Sequence, residues 1–169
     1  MPFEPNVVRL WRSLSRDART EAARSFWERP TEEAAVAAAQ EIVKILRVRP
    51  QAFHKIPLEQ RVRAVAGLAA PPDSLAEALL ISLHVDSRRA LLIAFLDALA
   101  IPHEEGMIDD ESDDFDPPTA DAVRAALPAL LERFPADEIR TYWNALWLQD
   151  GERWTALVDV VDELPAPSA

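Results

Sequence analysis

The clearest structural signal in the chain is the stretch Thr31-Glu-Glu-Ala-Ala-Val-Ala-Ala-Ala-Gln-Glu-Ile-Val-Lys-Ile-Leu46. Thr31 follows Pro30 and carries a side-chain oxygen that suits a helix N-cap. From Ala34 to Leu46, apolar residues occupy nearly every side of a helix, and the run of alanines permits close backbone approach. The stretch therefore predicts a helix at the centre of the protein.

Comparable helical patterns continue on both sides of this stretch. Sustained period-two alternation and Asn-Gly turns are absent from the sequence, so strands and hairpins are not predicted. The predicted helices are Asn6–Leu14, Arg16–Glu28, Glu32–Val48, Leu58–Ala70, Ser74–His84, Ser87–Ile101, Ala120–Phe134, Asp137–Gln149 and Glu152–Leu164. N-caps are predicted at Ser15, Thr31, Asp73, Asp86 and Thr119. The chain is thus predicted to be all-α, with eight or nine helices in stacked helical hairpins that form an α-α superhelix-like bundle.

The amphipathic patterns rank these helices by burial. Ala90–Ile101 resembles Ala34–Leu46 in being apolar nearly all round, so these two helices are predicted to form the central spine. Leu58–Ala70 has a clear polar face and is predicted to lie at the surface. Pro128 lacks a backbone N–H, which predicts a kink or a restart in its helix.

The later helices agree with each other at a spacing of 64 residues. The matching pairs are Leu75/Ile139, Leu79/Trp143, Leu83/Trp147, Asp86/Asp150, Arg89/Arg153, Ile93/Leu157 and Leu96/Val160. One interpretation is an internal repeat of a three-helix unit. The other is chance agreement between Ala- and Leu-rich amphipathic helices, and the sequence leaves both open.

Composition narrows the class of protein. The 169 residues are 49% hydrophobic, which is enough for one substantial core or two small helical units. Because there is no cysteine, disulfides, thiolate metal sites and cysteine nucleophiles are excluded. The most apolar run, Ala90–Ile101, is shorter than the roughly 20 residues that span a bilayer, and the N-terminus lacks the apolar stretch of a secretory signal. Because 16 of the 18 basic residues are arginine and alanine is abundant, we expect a bacterial protein, and because cysteine and a secretory signal are absent, we expect it in the cytoplasm.

The net charge of −11 is concentrated in the last third of the chain. Residues 102–169 carry 17 acidic and four basic residues, whereas residues 1–50 carry seven acidic and nine basic residues. Such a negative field repels nucleic acid and anionic membranes and attracts basic proteins or divalent cations. The expected partner is therefore another protein with a basic surface, and self-association is left open.

The segment Pro102–Pro118 does not fit ordinary helix packing. It contains eight acidic residues and neither lysine nor arginine. Charge repulsion and the prolines predict a surface loop that is mobile or depends on a cation. We therefore predict an N-terminal helical part at 1–101, an acidic loop at 102–118 and a C-terminal helical part at 119–169, together forming one compact domain.

A cation site in this loop is the weaker of two interpretations. In an EF-hand pattern beginning at Asp109, the sixth position requires glycine but holds Asp114, and the twelfth requires glutamate but holds Ala120. His103, Glu104 and Asp109 remain weak candidates for a divalent ion. No cofactor is expected.

Recognition by a basic partner is the favoured interpretation of the same loop. Met107, Ile108 and Phe115 stand among the acids and predict that the loop is partly docked. On the predicted helix Asp137–Gln149, Trp143 and Trp147 lie four residues apart and form either an apolar contact surface or simply core, and Tyr142 is predicted at the rim of their face. The predicted partner-binding residues are Asp109, Asp110, Glu111, Asp113, Asp114, Asp116, Phe115, Tyr142, Trp143 and Trp147.

Two further features have open alternatives. If the first helix continues through Ser13–Ser15, one helix face carries Arg9, Arg12, Arg16 and Arg19. This face is either a cationic ridge that attracts acidic groups or an ordinary solvated surface. Asp97 interrupts an apolar helix, either as a buried acid with a raised pKa or as a surface residue, and the surface position is favoured.

The sequence contains no recognisable catalytic motif. With only three glycines it cannot build a phosphate-binding loop. We therefore expect a non-catalytic protein-interaction or adaptor module with an acidic recognition surface. The alternatives are a small acidic inhibitor, chaperone or immunity-type protein, and a helical enzyme or sensor that depends on a divalent cation.

Overall fold

A computed structural model describes residues 6–108 and 115–166, and within these residues the regular structure is helical. The α-helices are α1 (Val7–Ser13), α2 (Arg16–Glu28), α3 (Glu32–Leu46), α4 (Leu58–Ala66), α5 (Asp73–Ser82), α6 (Arg89–Ala98), α7 (Ala120–Leu131), α8 (Ala136–Gln149) and α9 (Thr155–Val160). Two 3-10 turns, Pro50–Lys55 and Val161–Glu163, and a π-helical segment, Leu83–Ser87, complete the set. The predicted all-α class is confirmed. A membrane-spanning helix is not found in the described ranges, since none is long and apolar enough.

Three of the predicted caps are formed as hydrogen bonds. The backbone N–H groups of Ala18, Ala34 and Ala122 donate to the hydroxyls of Ser15, Thr31 and Thr119 at 3.1, 3.3 and 3.2 Å. These bonds satisfy donors that a helix start leaves without an intrahelical acceptor.

The predicted caps at Asp73 and Asp86 are wrong. Pro72 holds the extended backbone that precedes α5, so Asp73 falls in the first turn instead. In the first turn, the negative charge of Asp73 lies near the positive end of the helix dipole, which stabilises the helix. Asp86 lies inside the π-helical segment, where the chain continues from α5 without a new helix start.

The contacts group the chain into two units. The N-terminal unit is Val7–Ser87, and the C-terminal unit is Arg88–Ala169 with Met1–Asn6. The structure thus divides the chain at Ser87, whereas the sequence predicts a division at the acidic segment.

The N-terminal unit does not use α3 as a central helix, so that prediction is wrong. Only Ala34, Ala38 and Ile42 of this helix are fully buried, while Val36 and Ile45 are 51% and 47% exposed. Alanine presents little side-chain area for burial, so a single stripe suffices to pack α3. The largest fully buried side chains of this unit come from other helices as well, among them Trp11, Phe26, Leu75, Leu79 and Leu83.

Arg9, Arg12, Arg16 and Arg19 do not lie on one continuous helix. The first helix ends at Ser13, and α2 begins at Arg16 after the Ser15 cap. Arg12 instead donates from Nε to the carbonyl of Ala69 at 2.6 Å. The condition for a single cationic face is therefore not met.

The C-terminal unit has α6 at its centre, as predicted. The ring of Phe95 lies 5.7 Å from Tyr142, 5.7 Å from Trp143 and 5.9 Å from Trp154. In this unit α7 runs through Pro128 without restarting. The aromatic rings of α6, of α8 and of Trp154, which precedes α9, thus pack together.

Candidate functional site

The N-terminal end of the acidic segment is fixed to α6 by a tight turn. Glu104 and Met107 exchange backbone hydrogen bonds of 2.8 and 2.9 Å. Gly106 has a φ of +87°, and a Cβ at this position would lie 3.1 Å from the Cβ of Leu92. The turn therefore requires glycine both for its backbone conformation and for its close approach to α6.

His103 connects this turn to the end of α6. Its Nε2 lies 3.0 Å from Oδ1 of Asp97, and its Nδ1 accepts from the Gly106 N–H at 3.0 Å. Because a backbone N–H can only donate, Nδ1 carries no proton and Nε2 donates to Asp97. The Nδ1 lone pair is thus used by the Gly106 N–H and Nε2 carries the proton, so neither nitrogen is available to a metal ion in this arrangement.

Of the three weak metal candidates, only His103 and Glu104 belong to the residues that the structure describes. Glu104 is exposed, and Asp109 lies outside the described residues. Among residues 6–108 and 115–166, no three His, Asp or Glu side chains cluster in a way that could hold an ion. Asp97 is exposed, as favoured from the sequence, and faces His103 instead of the core.

The C-terminal end of the acidic segment is fixed through Phe115. Its ring lies 6.1 Å from that of Trp154, and the Arg153 guanidinium lies 4.8 Å from the Phe115 ring centre. Arg153 also pairs with Asp150 at 3.6 Å. Since Arg89 and Glu105 pair at the other end, at 3.1 Å, both described ends of the segment contact the C-terminal unit.

Five of the predicted partner-binding acids lie between these ends. Asp109, Asp110, Glu111, Asp113 and Asp114 fall outside the described residues. Asp116, which follows Phe115, is exposed.

The arginines of the C-terminal unit are engaged within that unit. The contacts are Arg88–Glu138 (3.8 Å), Arg89–Glu105 (3.1 Å), Arg124–Asp121 (2.8 Å), Arg124–Glu163 (2.8 Å), Arg153–Asp150 (3.6 Å), and Arg140 to the carbonyls of Val161 (3.1 Å), Leu164 (3.1 Å) and Pro165 (2.9 Å). The remaining one, Arg133, lies 5.1 Å from the ring centre of Phe134. The hydrogen bond from Arg124 lowers the pKa of Glu163, so this carboxylate stays charged to a lower pH.

Several acids of this unit have no such counterpart. Asp116, Glu132, Asp137, Glu152 and Asp162 are exposed and form no ion pair with any residue that the structure describes. Residues 88–169 contain 18 acids and six arginines. The unit therefore presents uncompensated negative charge to the solvent.

The predicted rim position of Tyr142 is wrong. This side chain is 3% exposed, because its ring packs edge-on against Phe95. Burial also raises the pKa of its phenol well above the usual value. Trp143 is likewise core, with no exposure, whereas Trp147 is half-buried.

A shallow depression lies between α8 and α9. It is too shallow to hold a water molecule, and its lining residues are Trp143, Asn144, Trp147, Leu157, Val158 and Val161. The indole Nε1 of Trp143 is buried and finds no hydrogen-bond acceptor in the described part of the chain. A buried donor without an acceptor costs about 1–3 kcal/mol, and the Nε of Arg140 is a second such donor in this unit.

The sequence singles out Asp97 and His103 but does not predict that they contact each other. After α6 the chain reverses at Ala100, whose φ is +54°, and the N–H of Ile101 bonds back to the carbonyl of Leu96 at 3.0 Å. This reversal brings His103 back to Asp97. A helix C-terminus with a left-handed alanine carries no glycine signal, so the reversal is hard to predict.

Comparisons of the chain with protein-family models, with curated proteins and with solved structures find no match.

Proposed function

We propose that this protein is a non-catalytic interaction or adaptor module whose acidic C-terminal unit binds a protein with a basic surface. The observation that carries the proposal is the charge distribution. Residues 88–169 contain 18 acids against six arginines, and these arginines already contact groups of their own unit. The excess negative charge is therefore left for another molecule.

A negative field of this kind favours a basic protein over other macromolecules. Nucleic acid and anionic lipid surfaces carry the same sign of charge as the C-terminal unit and are repelled by it. A basic protein is attracted over a distance of about one Debye length, roughly 8 Å at physiological salt. Its association is therefore expected to be fast and sensitive to ionic strength.

The acidic segment is the proposed centre of recognition. His103 holds one described end of the segment and Phe115 holds the other. Both ends are therefore fixed to the same unit. Ends that are already ordered reduce the entropy lost on binding. The absence of cysteine and the preference for arginine over lysine support a role in a bacterial cytoplasm.

The test compares two neutralised forms of the full chain. In the first, the segment acids are replaced: D109N, D110N, E111Q, D113N, D114N and D116N. In the control, the same charge is removed elsewhere in the unit: D121N, E132Q, D137N, E152Q, D159N and D162N. Partners retained by the wild-type chain are purified, and their dissociation constants are measured at several salt concentrations.

The segment variant is expected to weaken partner binding at least about ten-fold and to flatten its salt dependence. The control is expected to weaken binding less. Equal losses in both variants would refute the role of the segment. A partner that is indifferent to both variants would contradict the proposed function itself.

A further inference from the structure

The N-terminal unit carries a concentration of positive charge at the end of α3. Residues 42–58 contain no acidic residue but four cations, among them both lysines of the chain. These cations, which we call the basic patch, are Lys44, Arg47, Arg49 and Lys55. All four are exposed, and Arg47, Arg49 and Lys55 form no ion pair with any residue that the structure describes. The patch therefore presents positive charge to the solvent.

The backbone that carries the basic patch is held in place. The N–H of Val48 donates back to the Val43 carbonyl of α3 at 3.3 Å. The 3-10 turn that follows contacts α3, and Arg61 of α4 donates to the carbonyls of Phe53 and His54 at 3.4 and 3.3 Å. The cations thus extend from ordered backbone, which reduces the entropy lost when a partner binds.

Exposed apolar side chains lie among these cations. Ile45, directly after Lys44, is 47% exposed, and Leu58, three residues after Lys55, is 50% exposed. Apolar side chains surrounded by charged ones are the usual arrangement of a protein–protein interface, with an apolar centre and a polar rim. The patch therefore suits an anionic protein surface that also carries an apolar group.

The C-terminal unit presents such a surface at residues 104–107, the turn fixed to α6. Glu104 and Glu105 are exposed, and Met107 beside them is 50% exposed. Glu105 pairs with Arg89, but its side chain is still 77% exposed. Among the described residues of this unit, no other large apolar side chain is exposed to this extent. An ordered turn thus presents two carboxylates next to an apolar group.

Charge favours this turn over other anions as the ligand of the basic patch. A nucleic acid or an anionic membrane extends far beyond four cations and is repelled by the acids of residues 88–169. The turn is compact and comes from a protein of the same net charge, −11. At physiological salt, charges more than about 8 Å apart are largely screened, so this net charge opposes a local contact only weakly.

We propose that the basic patch of one copy of the chain binds the turn at residues 104–107 of a second copy. The cations of the patch pair with the carboxylates of the turn, and Met107 packs against Ile45 and Leu58. The inference rests on the proposed function and names the basic protein that the C-terminal unit binds, which is another molecule of the same chain. Because the two surfaces are different, the contact is heterologous.

The test exchanges the charges of the two surfaces in the full chain. The patch variant carries K44E, R47E, R49E and K55E, and the turn variant carries E104K and E105K. In sedimentation experiments at about 0.15 M salt, each variant alone is expected to associate at least about ten-fold more weakly than wild type, because like charges then meet. A mixture of the two variants is expected to recover association, since each patch again meets a turn of opposite charge.

Two further variants separate the contact from general effects of charge. The control reverses four exposed arginines elsewhere in the N-terminal unit, R9E, R16E, R29E and R63E, and is expected to weaken association less than the patch variant does. M107S keeps every charge and is expected to weaken association about three- to ten-fold, because an apolar side chain no longer leaves water. Helical circular dichroism checks that each variant is folded.

The origin of the contact is read from zero-length crosslinking of a mixture of isotope-labelled and unlabelled wild-type chains. Lys44 and Lys55 are expected to form crosslinks to Glu104 or Glu105 that join a labelled chain to an unlabelled one. Crosslinks confined to single copies would overturn the inference.

Other outcomes distinguish the inference from the proposed function. If wild type stays monomeric at every concentration while another basic protein binds the C-terminal unit, the inference is refuted and the proposed function stands. If wild type associates but the mixture of variants does not, the two surfaces do not meet and the inference is again refuted. If the patch binds nucleic acid or anionic vesicles instead of a second copy, it serves that ligand. If neither a second copy nor any basic protein binds, both proposals fail.

Discussion

Two fully buried tryptophans differ in what their indole N–H groups contact. The N–H of Trp11 donates to the Leu68 carbonyl at 2.8 Å, whereas that of Trp143 has no acceptor in the described ranges. W11F therefore leaves a buried carbonyl without its donor, while W143F removes a donor that was never satisfied. We expect W11F to lower the free energy of unfolding by about 1–2 kcal/mol more than W143F, measured by urea denaturation. An equal or larger loss in W143F would show that the Trp143 N–H is satisfied in solution.

His103 is the residue that holds the turn before the acidic segment. In H103A the Gly106 N–H loses its acceptor, so its hydrogen exchange is expected to speed up by about two- to ten-fold. D97N is the matched control, because it keeps the bond between Gly106 and His103. Unchanged exchange at Gly106 in H103A, followed by NMR, would mean that the turn does not depend on the imidazole.

Single residues were harder to predict than the helices that carry them. Tyr142 was expected at a rim because it sits at the edge of a tryptophan face, but the Phe95 ring covers it. The sequence singles out Asp97 and His103 separately, but their contact depends on the chain reversal at Ala100. Both errors come from tertiary contacts, which periodicity along one helix does not encode.

Among the structural elements, the 3-10 turn Pro50–Lys55 depends on Arg61 of α4. The Arg61 guanidinium lies 4.5 Å from the Phe53 ring centre, and its Nε donates to the Ile56 carbonyl at 2.9 Å. R61A is expected to lower the free energy of unfolding by about 1–3 kcal/mol, and R61K to recover little, since an ammonium lacks the planar fork. The exposed Arg63 provides the control, and R63A is expected to cost less than about 0.5 kcal/mol. Full recovery by R61K in denaturation experiments would show that charge alone suffices.

The sequence predicted elements well where local chemistry sets them. The bounds of α2 match the prediction, and the hydroxyl caps lie where a side chain can satisfy helix N–H groups. The 3-10 turn was missed because Pro50 signals a break in the preceding helix but does not specify the conformation of the next residues. The position of α3 was misjudged because an alanine-rich helix is apolar by composition but has little area to bury.

At the scale of the whole molecule, the only tyrosine of the chain reports on unfolding at high pH. Burial raises the pKa of Tyr142 above the value of about 10 for an exposed phenol. Its neutral form therefore stabilises the fold below pH 10, and this contribution is lost as the pH rises towards the folded-state pKa. Tyrosinate absorbance is expected to appear together with the loss of helical circular dichroism. A separate titration near pH 10 with intact helices would contradict the burial of Tyr142.

The two units differ in charge. Residues 7–87 carry 12 basic and ten acidic residues, whereas residues 88–169 carry six and 18. The sequence contains this asymmetry in full. The structure adds that arginines of the C-terminal unit are used internally, which a sequence does not reveal because each depends on a tertiary partner.

The most direct test of partner recognition by the C-terminal unit is zero-length carboxylate-to-lysine crosslinking of the full chain with its purified partner. The account predicts that the crosslinks, identified by mass spectrometry, fall mainly on acids of residues 88–169. The exposed acids of the N-terminal unit, such as Glu28, Glu33 and Glu77, serve as the internal reference. Crosslinks distributed evenly over both units, or found mainly on residues 7–87, would contradict it.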